Sequence, residues 1–384
     1  MKKSLLALAV LGAFAGVASA QSSVTLYGTV DLSAKYVKND GSAKRYSLSQ
    51  DGINSSQLGI KGTEDLGGGL KAGFVLLSGI NADTGTANGK FWNRRATVSL
   101  LGNFGEVRLG RDYTPTFWNN TVFDAFGTNG LGDSSHVQQL AAATFVRADN
   151  SIGYFLPSGI GGVYGQFMAA AGEGGNSTTA PTGNGQQQSA TGTGENCIVA
   201  TPVVPATVPA TFTYTNKCST VVNSNPGRYL AGRVGFAAGP FDVAAAYSQQ
   251  RFATGVPDLK TWNIGGSYDL SVVKLLAYFD RDTQGNAKEN RYSISAVVPI
   301  GQSEIHAGYE ASKLDNSGAT TKIDQFALGY VYNLSKRTAV YATASRLSNK
   351  NATSNSVAGG TAITAVPTAG GKSSGAEFGL RHFF

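Results

Sequence analysis

The sequence predicts an all-β chain, a transmembrane antiparallel β-barrel of about sixteen strands. Three observations carry this. The first is the stretch Ala376–Phe384, whose alternate residues Phe384, His382, Leu380 and Phe378 form a largely apolar face opposite Phe383, Arg381, Gly379 and Glu377. Such a strand suits lipid on one side and water on the other. The second is composition: 50 glycines, 16 tyrosines and 19 phenylalanines favour short strands and tight turns over a helical interior. The third is a mean hydropathy of −0.10, expected when each lipid-facing residue has a water-facing neighbour.

Taken in chain order, Met1–Lys2–Lys3 precedes an apolar run from Leu5 to Val17 that closes on Ala18–Ser19–Ala20. This pattern predicts a secretory signal over 1–20 and a barrel domain over 21–384. No later run of eighteen apolar residues exists, so a helical membrane protein is excluded. Removal of Lys2 and Lys3 leaves 29 basic side chains against 24 acidic ones, without a basic block, which argues against nucleic acid as a partner.

Strands are expected at about 23–37, 45–64, 70–82, 89–102, 105–113, 143–157, 162–173, 227–239, 240–252, 258–270, 272–283, 288–299, 302–314, 321–333, 337–348 and 375–384. Short Gly- and Asn-rich connections such as 65–69, 102–105 and 239–240 alternate with longer ones at 38–45, 82–90, 114–142, 174–226 and 348–374. Short turns on one rim and long loops on the other are a barrel arrangement. An even count places both termini on the short-turn side and brings the last strand beside the first. The alternation is clear in 23–37, where Val30, Leu32, Ala34 and Tyr36 oppose Thr29, Asp31, Ser33 and Lys35. In 321–333, Phe326, Leu328, Tyr330 and Tyr332 share a face that Asp324 joins. A barrel of this size is too wide for side chains to fill, so its lumen holds water.

Cys197 and Cys218 are the two cysteines. In an exported chain they are expected to form a disulfide within the long 174–226 loop. Tyr27, Trp92, Trp262, Tyr332, Phe378 and Phe384 are candidates for the interfacial aromatic girdles.

The segments SVTLYG (23–28), SQLGIKGTEDLGGGLKA (56–72), FWNRRATV (91–98), NFGEVRLGR (103–111), RADNSI (147–152) and GLRHFF (379–384) resemble, as an ordered set, the general porins of Gram-negative outer membranes, in particular the beta-proteobacterial and neisserial type. The resemblance spans essentially the whole chain after residue 20. It implies a homotrimer in the outer membrane of a Gram-negative bacterium, in contact with lipid and lipopolysaccharide. It also implies that the third long loop, here 114–142, folds into each pore.

A pore needs a constriction whose width and field sort solutes, rather than a nucleophile or a cofactor. By that resemblance Arg94 and Arg147 match constriction arginines, with Arg95 as the alternative because strict alternation with Val98 and Leu100 turns Arg94 toward lipid. Gln57 stands where many relatives carry a third arginine, and Leu77 where they often carry a glutamate. Lys35 and Lys61 add positive charge, and Asp124 and Asp133 are the acids of the loop. Arg111 and Asp112 are assigned to anchoring the loop or the trimer contact. Phe384 resembles the assembly signal of this class.

These residues imply a passive channel for small hydrophilic solutes with a mild preference for anions. The alternatives are a solute-selective channel for phosphate or organic anions and, from another class, an adhesin using the 174–226 loop. Enzyme motifs do not emerge. His136, His306 and His382 are scattered, no His-Glu-x-x-His or Cys-x-x-Cys occurs, and Val366 replaces the first glycine of a phosphate loop that would end at Gly371–Lys372–Ser373.

Overall fold

The computed structural model describes residues 23–87, 89–140, 146–172, 198–202, 212–216, 227–252, 255–358 and 366–384. The expected signal segment, Cys197 and Cys218 lie outside the described residues. The elements are β1 (Ser23–Asn39), β2 (Arg45–Gln50), β3 (Gln57–Gly67), β4 (Leu70–Asn81), β5 (Thr86–Ala87), β6 (Arg95–Gly102), β7 (Gly105–Tyr113), α1 (Pro115–Val122), β8 (Arg147–Phe155), β9 (Val163–Ala170), β10 (Ile198–Pro202) and β11 (Phe212–Asn216). They continue with β12 (Tyr229–Ala238), β13 (Phe241–Gln250), β14 (Leu259–Asp269), β15 (Lys274–Gln284), β16 (Ala287–Ile300), β17 (Ser303–Asn316), β18 (Ala319–Asn333), β19 (Thr338–Lys350) and β20 (Lys372–Phe383).

Every ladder is antiparallel, and β1 pairs with β20 from Thr29↔Phe383 to Asn39↔Ser373, which closes the sheet on itself. Closure leaves no free edge, the condition for backbone polar groups to cross lipid. Sixteen staves result when β2 and β3 count as one interrupted stave. The two-residue β5 pairs with the end of β4, and β10 with β11 forms a separate hairpin.

The expected continuous strand 45–64 is therefore corrected. It breaks between Gln50 and Gln57, where β2 and β3 pair with different halves of β1. Asp31 of β1 causes the break by drawing the intervening backbone inward: its carboxylate accepts hydrogen bonds from the N–H groups of Gly52, Ile53 and Asn54 at 3.3, 3.0 and 2.7 Å.

Period-2 patterning sets the two faces. In β1 the inward Thr29, Asp31, Ser33 and Lys35 are buried while Val30 is exposed, and in β18 Phe326, Leu328, Tyr330 and Tyr332 all face outward. Asp324 shares that outer face and pairs with Lys350 of β19 at 3.0 Å. A row of outward aromatics runs across the strands near the long-loop rim. Trp262 and Phe279 have ring centroids 5.0 Å apart, as have Phe279 and Tyr292, and Tyr309 lies opposite Phe326. Amphipathic rings at that level match a membrane interface. Tyr27 does not join them: it pairs with Gly59 on the inner face and stacks under the Lys61 ammonium, 5.3 Å from its ring centroid.

Candidate functional site: an arginine-lined passage beside an inward loop

The chain leaves β7 through Thr114, whose Oγ1 accepts a hydrogen bond from Phe117 N at 3.4 Å, with Pro115 at the first helical position. A β-hydroxyl cap followed by proline starts a helix in one step, and α1 is thereby aimed into the barrel. Its far face docks on the wall of β12–β14. The amide of Asn119 donates to Asn263 Oδ1 at 2.9 Å and its oxygen accepts from Arg233 Nε at 2.7 Å. Asn120 donates to Asp280 at 3.0 Å. Phe123 is fully buried against Ala244 and Tyr278, on the spot where Gly265 leaves room for its ring.

Further along, Phe126 lies over Gly329, where a Cβ would sit 3.0 Å from its ring. Leu131 and Val137 join Val37, Ile323 and Leu347 in a closed apolar cluster. Acceptors of the wall fix the rest of the loop. Leu131 N donates to Glu377 at 3.1 Å, and Gln139 N and Leu140 N donate to Glu289 at 3.0 and 2.6 Å. The loop 114–140 thus lies inside the barrel against β12–β20, and the open passage runs between it and the β1–β8 wall.

That passage is a cavity of about 910 Å³ lined by Arg94, Arg147, Gln57, Lys35, Asp51 and Asp133, among others. Arg147 donates to the hydroxyl of Tyr113 at 2.9 Å, with its guanidinium carbon 4.4 Å from that ring's centroid. Arg94, only 9% exposed, places Nη2 3.4 Å from a carboxylate oxygen of Asp51. Among the described residues no carboxylate lies within 4 Å of Arg147. Lys35 also lines the passage, with Glu377 3.4 Å from its ammonium.

The structure brings together Arg94, Arg147, Gln57, Lys35 and Asp133, and separates the others. Arg94 precedes the first residue of β6, so the alternation that would turn it to lipid has not yet begun. Arg95 faces inward but is engaged below the passage, 2.7 Å from Asp112, in a network with Arg108 and Glu106. Asp112 belongs to that network rather than to the loop. Lys61 stands near the short-turn rim on Tyr27.

Arg111 shares the outer face with Ala96. It holds the Asn93 carbonyl at 2.7 Å and Asp149 at 2.5 Å. Asp124 is turned away from the passage, because its carboxylate is folded back onto the N–H groups of Phe126 and Thr128 at 2.9 and 3.1 Å. Burial raises its pKa from 3.8 to about 6. Burial also lowers the His136 imidazole below its ordinary value, with Lys35 acting in the same sense and Asp133 opposing.

Sequence reasoning missed Tyr113, Asp51 and the loop anchors Arg233, Asp280, Glu289 and Glu377. The anchors carried one readable signal: polar residues at alternate positions of otherwise apolar strands, as in Tyr278–Asp280–Asp282 and Glu289–Arg291–Ser293. Charges that point into a lumen and face a buried loop have that spacing.

The family model for Gram-negative porins matches residues 7–352. The chain belongs to the Gram-negative porin family. This porin is 36% identical over 398 residues to outer membrane porin protein 32 of Delftia acidovorans, covering 100% of both chains. It is 30% identical to an outer membrane porin protein of Bordetella pertussis over 91% of its own length and 95% of the relative's. Its structure is similar to that of an anion-selective porin from Comamonas acidovorans, with a TM-score of 0.75, 34% identity, and coverage of 95% of this chain and 100% of the other. The trimer form of OmpT from Vibrio cholerae shares the fold at a TM-score of 0.59 and 12% identity, over 94% of this chain and 99% of that one. The porin is accordingly an outer-membrane protein that forms a passive channel.

Proposed function

We propose that this porin conducts small hydrophilic solutes with a mild preference for anions, and that the pair Arg94 and Arg147 sets the preference. The carrying observation is that Arg147 borders the passage with a phenol hydroxyl and, among the described residues, no carboxylate as its partner. A guanidinium is charged at every physiological pH, and a narrow opening with low-dielectric walls focuses its field on passing ions. A planar-bilayer reversal potential in a potassium chloride gradient tests the reading. Chloride preference is expected, and potassium preference would overturn it. Saturable block by phosphate or an organic anion would instead favour the solute-selective channel.

The assembly is read as a homotrimer, supported by the family. Lipopolysaccharide is read as the lipid partner on the long-loop side. Lys313, Lys322 and Lys350 stand directly opposite one another on the outer face of β17, β18 and β19. They lie just above the aromatic row. Asp315 and Asp324 pair with Lys313 and Lys350 at 2.8 and 3.0 Å, which leaves Lys322 as the cation of the row offered to lipid phosphate groups at that height.

A further inference from the structure

The six residues that interrupt the second stave, Asp51–Ser56, form a turn that projects into the passage. Its fixation is unusually complete for so short a segment. Asp51 N donates to the carbonyl of Asp31 at 3.3 Å, and the Asp31 carboxylate takes the next three backbone N–H groups. Ser56 bonds both backbone groups of Asp31 through its hydroxyl at 3.0 Å. The Tyr341 hydroxyl donates to the same Asp31 carboxylate from β19, two strands along the same inner wall. Asn54 is held by Arg381 at 3.1 Å. The tip of the inward loop rests on the turn: Ser55 donates to Asn129 Oδ1 at 3.0 Å, and Gly130, at φ +61°, sits on the Gly52 carbonyl. A side chain at Gly130 would collide with that carbonyl.

The first residue of the turn, Asp51, adopts φ +63°, a left-handed conformation that aspartate tolerates better than most residues. One of its carboxylate oxygens closes the turn on Ser56 N at 2.6 Å and the other faces Arg94 Nη2 at 3.4 Å. The charged side chains facing Asp51 are thus Arg94 from the loop before β6 and Asp31 from β1. The Asp51 side chain keeps 29% of its surface open to the passage.

We infer that the turn Asp51–Ser56 is a second lip of the constriction, and that Asp51 is a selectivity-determining residue which partly neutralises Arg94 and so keeps anion preference mild. The inference rests on Arg94 being a pore-facing charge, as proposed above, and it explains why two arginines need not give strong selectivity. Among the described residues, Arg94 is the arginine that carries a counter-charge within 4 Å, and Arg147 is the one that does not. Asp51 thus enters the charge balance of the passage, with Arg94, Arg147, Lys35 and Asp133, only because the stave is interrupted, since an unbroken strand would carry residue 51 along the wall.

The test is Asp51→Asn, assayed in planar bilayers for reversal potential and single-channel conductance, with Asp51→Glu as the conservative variant. Asp51→Asn should raise the chloride-to-potassium permeability ratio by roughly two- to fivefold, the range expected for removing one charge close to a water-filled path. Asp51→Glu should stay near wild type. In an Arg94→Gln background Asp51→Asn should still shift the ratio toward chloride, from a lower starting value, because the fields of the two charges add. Should Asp51→Asn fail to fold, Asp51→Ser keeps a turn-closing acceptor without the charge. An unchanged ratio, or a shift toward potassium, overturns the inference. A wild-type channel that prefers potassium would overturn the proposed anion preference, while a chloride-ward shift on removing Asp51 would still support the residue's part in selectivity.

Discussion

The guanidinium of Arg147 lies 4.4 Å from the centroid of the Tyr113 ring and donates to that ring's hydroxyl at 2.9 Å. Tyr113 is the last residue of β7 and Arg147 the first of β8, and they are ladder partners. The two strands that bracket the inward loop therefore lock an arginine in place at the loop's root. A stacked guanidinium loses little further entropy on meeting an anion.

Arg147→Ala should lower the chloride-to-potassium permeability ratio by about fivefold, corresponding to roughly 1 kcal/mol for one charge at contact distance in water. Tyr113→Phe should leave the charge but loosen it, giving a smaller loss. Reversal potentials measured at low and high salt check both, and the difference should fade as screening rises.

Asp124 offers a pH-dependent comparison. Burial raises its pKa to about 6 from 3.8, so between those values the folded state binds more protons than the unfolded state and stability falls as pH rises. The loss is complete above about pH 6. A difference of roughly two pKa units corresponds to about 3 kcal/mol. Asp124→Asn should therefore gain on wild type as pH rises from 4 to 7. Paired thermal melts of detergent-folded protein check this, and the pairing cancels the contribution of His136, which has the opposite sign.

Arg291 sits between Asp280 and Asp282 at 2.6 and 3.0 Å, all three nearly inaccessible to solvent. Arg291→Met would strand two buried carboxylates, which costs about 3–5 kcal/mol. Since Asp280 also holds Asn120 of α1, the variant should melt earlier and show a noisier single-channel current.

Phe384 exchanges both backbone hydrogen bonds with Gly28 at 3.1 Å, and its ring covers the face where Gly28 has no side chain. Deleting Phe384 should reduce the amount of porin in the outer membrane severalfold while leaving the conductance of refolded channels unchanged. Normal surface levels would sink the assembly role.

Lys322→Glu should weaken co-purification of lipopolysaccharide without altering selectivity, because the side chain lies on the outer face. Unchanged lipid content after mild detergent extraction would count against the lysine row as the contact.

Much of the barrel was legible because period-2 alternation is a local property. Val30 and Asp31 announce opposite sides of a wall with no knowledge of what the wall encloses, and the glycine-rich turns announce where it reverses. Alternation fails where the chain leaves the ladder. It would have turned Arg94 to lipid, and it read 45–64 as one strand, since nothing local to Asp51–Ser56 reveals that Asp31, some twenty residues earlier, will capture its backbone. Tyr27 was assigned to the girdle by residue type, although its place in the ladder puts it inside. Asp124 was read as a pore acid because a loop has no periodicity from which to tell its two faces apart.

The sequence by itself determined the barrel, its strand number and its closure by the first and last strands, because each follows from short-range patterning and turn chemistry, while the loop that enters it was expected from the family resemblance. Only the tertiary structure decided which charges meet water. Arg147 and Tyr113 are 34 residues apart, Arg94 and Asp51 are 43 apart, and the loop's anchors come from strands as far along the chain as β12, with Arg233, and β20, with Glu377. Those distances collapse only when the strands pair and the loop folds in, and the field in the passage is the sum of charges that this brings within a few ångströms of each other.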